Sequence, residues 1–448
     1  MWGQKYTLVP TCQSYFCSLN ITVIFLKGRV FVKNQMKKLA CLMLALVMMA
    51  GVLPITARAA DISYDVVGGK IYFDAATGTI TDCDTSVTEA VIPEDIYGVK
   101  VIAIKRNAFK DCKNLVKVSL PDTVETIGES AFYNCKSLEK VNIPTKIKTI
   151  EDYTFFDCDS LKDIIIPDGV LIIETNSFRS TGLERITIPD SVTTIEREAF
   201  AWSDLKTVIV GNAVTSISSS LFENCSLLEN IKLGNEMTKI GYSSFRNCSN
   251  LRTISIPDSV VEIGQYAFLG SGLTSIIIPD SVSLLDTRVF EDCKDLRKVS
   301  LSNNMTVIPS SLFNNCAKLT EIYIPAGIKS IYDYAFLNCD KLADVYYGGD
   351  LVQWSEIGVN DFDNANSPLS AATIHFNCTG LPNAHPLGDI DGDGEITNTD
   401  IVNIARYIVG ITEGDTKTAV EAYADMNGDG KVDNSDLVTV ARIIVGLA

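Results

Sequence analysis

From Ile62 to Asn377 the apolar positions recur in a fixed order, of which LRTISIPDSVVEIGQYAF, Leu251 to Phe268, is a sample. Leu251, Ile254 and Ile256 precede Pro257, a short-strand pattern closed by a residue that cannot donate to a ladder. Val260 and Ile263 form a second inward pair, and Phe268 fills the far side. The same phenylalanine returns at 109, 132, 155, 178, 200, 222, 245, 268, 290, 313 and 336, with gaps of only 22 or 23 residues, which makes eleven units. A unit this short cannot enclose its own apolar side, so it must stack on its neighbours. The pattern predicts a β-rich solenoid whose strands, about 4.8 Å apart, form a parallel sheet roughly 50 Å long.

The polar positions of the strands form two outward columns. One runs Lys117, Lys140, Asp163, Arg185, Thr207, Asn230, Thr253, Ser275, Lys298, Glu321 and Asp344; the other includes Ile165, Ile209, Ile277, Tyr323 and Tyr346. Exposed isoleucine and tyrosine among polar neighbours suit a protein-contact surface, although β-branched and aromatic residues also suit strands for their own sake. No uniform aromatic row marks a polysaccharide track.

Eight of the 13 cysteines fall three residues after a marker phenylalanine, at 112, 135, 158, 225, 248, 293, 316 and 339. Units beginning at Phe178, Phe200 and Phe268 lack that cysteine and are one residue shorter. The thiol therefore travels with one particular turn, and a buried column of small, weakly polar side chains is expected. Disulfides between neighbouring rungs are the competing reading for an exported chain, but stacked side chains point the same way, which strains such a bridge.

Composition adds limits. The 448 residues are 46% apolar and 21% charged, as in folded protein with room for two or three domains. Net charge is −17, and no basic stripe tracks a phosphate backbone, so nucleic acid is not an expected partner. Met36 to Ala60, MKKLACLMLALVMMAGVLPITARAA, has the charged, apolar and small-residue order of a secretory signal, with cleavage expected after Ala59. The apolar run is short for a membrane span, so none is expected once the signal is removed. Residues 1–35 are unusual upstream of a signal, and translation is expected to begin near Met36. Catalytic signatures are lacking: no serine elbow, phosphate loop or zinc spacing appears. His375 and Cys378 lie close in sequence, but a cap residue and a linker thiol account for them; the chain is read as non-enzymatic.

The tail carries the most specific chemistry. DIDGDGEITNTD, Asp389 to Asp400, and DMNGDGKVDNSD, Asp425 to Asp436, recur at a 36-residue spacing, each followed by a matching stretch, TDIVNIARYIVG and SDLVTVARIIVG. Oxygen-bearing side chains occupy loop positions 1, 3, 5, 9 and 12 with glycine at 6, the convergence a hard cation needs. An ordinary EF-hand fits less well, because position 12 is Asp and Pro382 and Pro386 prevent a helix from entering the first loop. The stripes Ile401, Ile404, Ile408 and Leu437, Val440, Ile444 have helical spacing and suit a small core between two helices. This segment has four basic and twelve acidic residues, a net −8, so part of the acidity belongs with cation binding.

Two resemblances follow. The wording IPDSV…IG…AF resembles the BspA-like (Treponema pallidum type) leucine-rich repeats of secreted bacterial proteins, and implies a leucine-rich-repeat solenoid over residues 95–345. Residues 60–94 and 346–377 would then be caps, and 378–386 a linker. Residues 387–448 resemble a type I dockerin, a small α-helical F-hand domain that binds two Ca2+ ions and plugs into a cohesin domain of a scaffoldin. The resemblance implies Asp389, Asp391, Asp393, the carbonyl of Glu395, Thr397 and Asp400 as ligands in the first loop. In the second it implies Asp425, Asn427, Asp429, the carbonyl of Lys431, Asp433 and Asp436. It places the cohesin contacts on Asn398, Thr399, Ala405 and Arg406, then Asn434, Ser435, Ala441 and Arg442. These sets are nearly interchangeable, so docking in two orientations is expected. The function so implied is a secreted binding protein on a cellulosome-like scaffold. A free adhesin for host or matrix protein, and a scaffold component that binds or degrades polysaccharide, are the alternatives.

Overall fold

The computed structural model describes residues 23–26, 29–32, 61–381, 388, 396, 398–408, 420, 424–426 and 431–444. The signal segment and most of the two tail loops lie outside the described residues. Within Met1–Ala60, a unit by itself, Val23–Leu26 pairs antiparallel with Arg29–Val32. Among the described residues, no helix is long and apolar enough to cross a membrane.

Three antiparallel strands, Ile62–Val66, Gly69–Asp74 and Thr79–Cys83, begin the next unit. From the third, the chain enters a parallel-sheet solenoid, pairing Thr79 with Ala103 and then Ala103 with Thr126. The expected outward column is a true register: Arg185 pairs with Thr207 and Thr207 with Asn230. Further along, Ser275, Lys298, Glu321, Asp344 and Thr373 stand in successive pairs. The inward residues of the sample unit are all buried, Leu251, Val260, Ile263 and Phe268 completely.

The structure adds a second parallel ladder to the one the pattern predicts. Its two-residue strands, such as Ser216–Ile217, Lys239–Ile240, Glu262–Ile263 and Leu284–Leu285, stack in order. A third side is held by backbone bonds between turns: Phe109 N–H donates to the Ala131 carbonyl at 2.8 Å, and Phe155 N–H to that of Ser177 at 2.8 Å. Rungs thus close backbone groups on their neighbours along three sides, as burial of the chain interior demands. The marker phenylalanines form one continuous stack, with ring centroids 5.1 to 5.9 Å apart from Phe109 to Phe336.

At the far end two short helices, Leu351–Ser355 and Ser367–Ala371, cover the last rung, and Thr373–His375 closes the sheet. Asp350 starts the first by a reciprocal cap with Gln353, 2.9 and 3.0 Å. Order extends past Asn377: Cys378 N–H donates to the Tyr347 carbonyl at 3.0 Å, and Leu381 is buried.

Candidate functional site

The tail sites are built on two helices of 11 residues, Asn398–Ile408 and Asn434–Ile444. Their core is small: Ile404, Val420, Ala424, Met426 and Val440 are buried, with Ile396, Ile401, Ile408, Val432, Leu437 and Ile444 partly covered around them. Gly388, with φ +96°, opens the first loop where a Cβ would press on Met426 Sδ at 3.3 Å.

Asp400 and Asp436, at loop position 12, are completely buried in the first turns of these helices. An enclosed carboxylate must be compensated. Asp436 accepts Met426 N–H at 2.8 Å through Oδ1 and Asp433 N–H at 2.9 Å through Oδ2. Asp433 Oδ1 accepts the N–H and hydroxyl of Ser435 at 2.8 and 2.7 Å, and these donors hold its carboxyl below the usual range. The backbone is thus folded around Asp433 and Asp436. All-oxygen donors of this kind fit calcium. Among the described residues no cluster of three or more His, Cys, Asp or Glu could hold a metal; Asp389, Asp391, Asp393, Glu395, Thr397, Asn427 and Asp429 lie outside them.

The expected cohesin contacts match in the two halves. Asn398, Thr399 and Arg406 are exposed with Ala405 half-buried; Asn434, Ser435 and Arg442 are exposed with Ala441 half-buried. Sequence reasoning missed Val402 and Val438, equivalent residues that are 50% and 54% exposed. Their signal was an apolar residue off the buried stripe at the same place in both helices.

On the solenoid face, Ile165 is 78% exposed and Ile277 40%. Ile209 is half-buried. Tyr323 is not a surface residue: it is buried, and its hydroxyl donates to Asn303 Oδ1 at 2.9 Å. The next rung offers Gly348 there, where a Cβ would lie 3.0 Å from that hydroxyl, so the ring has room to lie along the sheet. Tyr346 is half-buried, its ring stacked on His375 at 4.7 Å. His375 Nε2 pairs with Asp344 Oδ1 at 2.8 Å, whereas the Cys378 thiol donates to the His375 carbonyl at 3.5 Å. The imidazole is thus engaged elsewhere than on the thiol.

The cysteine column has a specific job. Every column thiol after Cys112 donates to the carbonyl of the preceding unit's marker phenylalanine, as in Cys135 to Phe109, Cys158 to Phe132, Cys248 to Phe222 and Cys339 to Phe313, at 3.0 to 3.2 Å. In the shortened units Thr181 and Ser203 stand in the thiol's place and donate to the carbonyl of their own unit's phenylalanine, Phe178 and Phe200. Burial pushes Cys225 up to about 11 and Cys293 and Cys339 up to about 12, so these are inert thiols. Among the described cysteines no disulfide is formed. A neighbouring column went unread in the sequence: Asp111, Asn134, Asn224, Asn247, Asp292, Asn315 and Asn338 all have φ near +60°. Their side chains form a second ladder, as in Asn247 to Asn224 at 2.8 Å and Asn338 to Asn315 at 2.6 Å.

These features define a leucine-rich-repeat solenoid followed by a short, acidic, loop-and-helix tail. The model of the BspA type leucine rich repeat region matches residues 83–207 and 215–343 in six copies, and the chain belongs to that family. The tail matches the dockerin type I domain over residues 387–445. A leucine-rich repeat protein from Bacteroides ovatus is similar in structure, with 23% identity and a TM-score of 0.50, over 76% of this chain and 97% of that one. The Treponema pallidum leucine rich repeat protein is 28% identical over 42% of this chain and 91% of its own, with a TM-score of 0.38. A leucine rich cell surface protein from Faecalibacterium prausnitzii is 23% identical over 68% of this chain and all of its own (100%), with a TM-score of 0.34. No curated protein matches the chain.

Proposed function

We propose that the chain is an exported, non-catalytic binding protein, attached to a cohesin-bearing scaffold by its calcium-loaded tail and presenting the solenoid to a ligand. The observation that carries the reading is the duplicated tail. Two acids buried at equivalent helix starts, and two equivalent exposed sets, are what a plug with two matched faces would need. Asp389, Asp391, Asp393, the carbonyl of Glu395, Thr397 and Asp400 would hold one calcium; Asp425, Asn427, Asp429, the carbonyl of Lys431, Asp433 and Asp436 would hold the other. The near-identity of the contact sets favours docking in two orientations related by a half-turn, with Val402 and Val438 adding apolar area to each.

The solenoid is the cargo. Its inward thiols are sealed, and its outward strand face is polar with scattered isoleucines, which suits a protein partner better than a glycan. The test is capture of the full chain by a panel of cohesins, with and without chelator. Calcium-dependent capture supports the reading, and equal capture in chelator, or none with any cohesin in calcium, counts against it. Replacing Ser435 and Arg442 alone should leave capture nearly intact, because Thr399 and Arg406 offer the second face.

A further inference from the structure

At the N-terminal end of the cysteine column the regular bonding breaks down. Cys112 has no marker phenylalanine behind it; its thiol points to the Asp84 carbonyl at 3.9 Å. Cys83, in the cap strand Thr79–Cys83, reaches that same oxygen at 3.4 Å. Two sulfurs thus converge on one acceptor, from opposite sides of the junction between cap and first repeat. Elsewhere in the column the thiols donate to phenylalanine carbonyls at 3.0 to 3.2 Å, and no two of them share one. The two also dominate each other's acidity, with Cys83 raised and Cys112 lowered by their mutual interaction. Cys83 retains 7% exposure, whereas Cys112 is completely buried.

We propose that Cys83 and Cys112 are a modification site, oxidised to a disulfide that staples the N-terminal cap to the first repeat. The oxidant is a low-molecular-weight disulfide. Cys83, the accessible member, passes its proton to the Cys112 sulfur it hydrogen-bonds and attacks one sulfur of the oxidant. The departing small thiolate takes that proton from Cys112 and leaves as a thiol, and a mixed disulfide remains on Cys83. Cys112, as its thiolate, then attacks the Cys83 sulfur and releases the second small thiol. The protein loses two hydrogens and two electrons, and the oxidant is reduced to two thiols. The remaining column thiols stay reduced, since each is sealed and committed to a carbonyl. An exported chain would meet such oxidants, and in that respect the setting rests on the export reading; the chemistry does not.

The full chain, purified under reducing conditions, is exposed to oxidised glutathione, denatured in an alkylating reagent, digested and analysed by mass spectrometry. The expected product is a linked peptide pair containing Cys83 and Cys112, with Cys135 to Cys339 recovered alkylated. In C112S, Cys83 should accumulate as the stable glutathione adduct. Amide exchange through Ile62–Cys83 should slow about tenfold on oxidation in the native chain and remain unchanged in C83S. Recovery of both thiols alkylated at every glutathione concentration, or linkage of Cys83 to a different cysteine, would overturn the proposal.

Discussion

The solenoid and the tail both grow from sequence repetition, yet they hold themselves together in opposite ways. In the solenoid, each repeat adds another phenylalanine, and most add a thiol-to-carbonyl bond, to an apolar interior that continues from Ile71 to Leu369. Burial alone is sufficient there, because each unit supplies the surface its neighbour needs. In the tail, the described residues include a core of five buried residues and two enclosed acids. A domain so small cannot bury enough to offset the ordering of its chain. The difference teaches that repetition stabilises by stacking only when the units can keep adding. A single duplication has to borrow its stability, and the proposed function assigns that supporting role to a cation.

The comparison can be broken at either end. The largest effect is expected in the phenylalanine stack: Phe222→Ala should cost the solenoid about 3–5 kcal/mol in denaturant unfolding, because the neighbouring rings cannot close the void. Capture by cohesin should be unchanged in that variant. Asp436→Ala should act the other way. It strands the Met426 and Asp433 N–H groups at a cost of about 2 kcal/mol, and should remove one of two calcium ions counted by titration calorimetry, without shifting solenoid unfolding.

Smaller effects sharpen the account of the columns. Cys248→Val deletes the donor to the Phe222 carbonyl and should cost about 1 kcal/mol. Cys248→Ser, which keeps a donor at that position, should cost less. Asn224→Ala, at φ +60°, should cost about 1 kcal/mol while Asn224→Gly is tolerated, if the left-handed turn is what selects the residue.

Period, strand ends and the thiol column were legible in the sequence because each leaves a mark at a constant offset from phenylalanine. The two-residue strands of the second ladder were visible only as inward pairs such as Val260 and Ile263, since so short a strand has no alternation of its own. The asparagine and aspartate column was equally periodic, but its meaning lies in a backbone angle that a list of side chains does not state. Tyr323 misled because exposure was inferred from strand alternation. Whether the ring stands or lies depends on Gly348, one rung away in space and 25 residues away in sequence. In the tail, the spacing of the acids pointed to a cation site, and that site is part of the proposed function. The exposed Val402 and Val438 went unread because attention stayed on the helical stripes that form the core.

Segment-resolved amide exchange on the full chain, in calcium and then in excess chelator, tests most directly whether the tail depends on metal and the solenoid does not. Chelation should abolish protection in Asn398–Ile408 and Asn434–Ile444, while the stacked turns from Phe109 to Phe336 keep theirs, and returning calcium should restore the helices. Helices that stay protected in chelator and do not respond when calcium is returned would contradict the account.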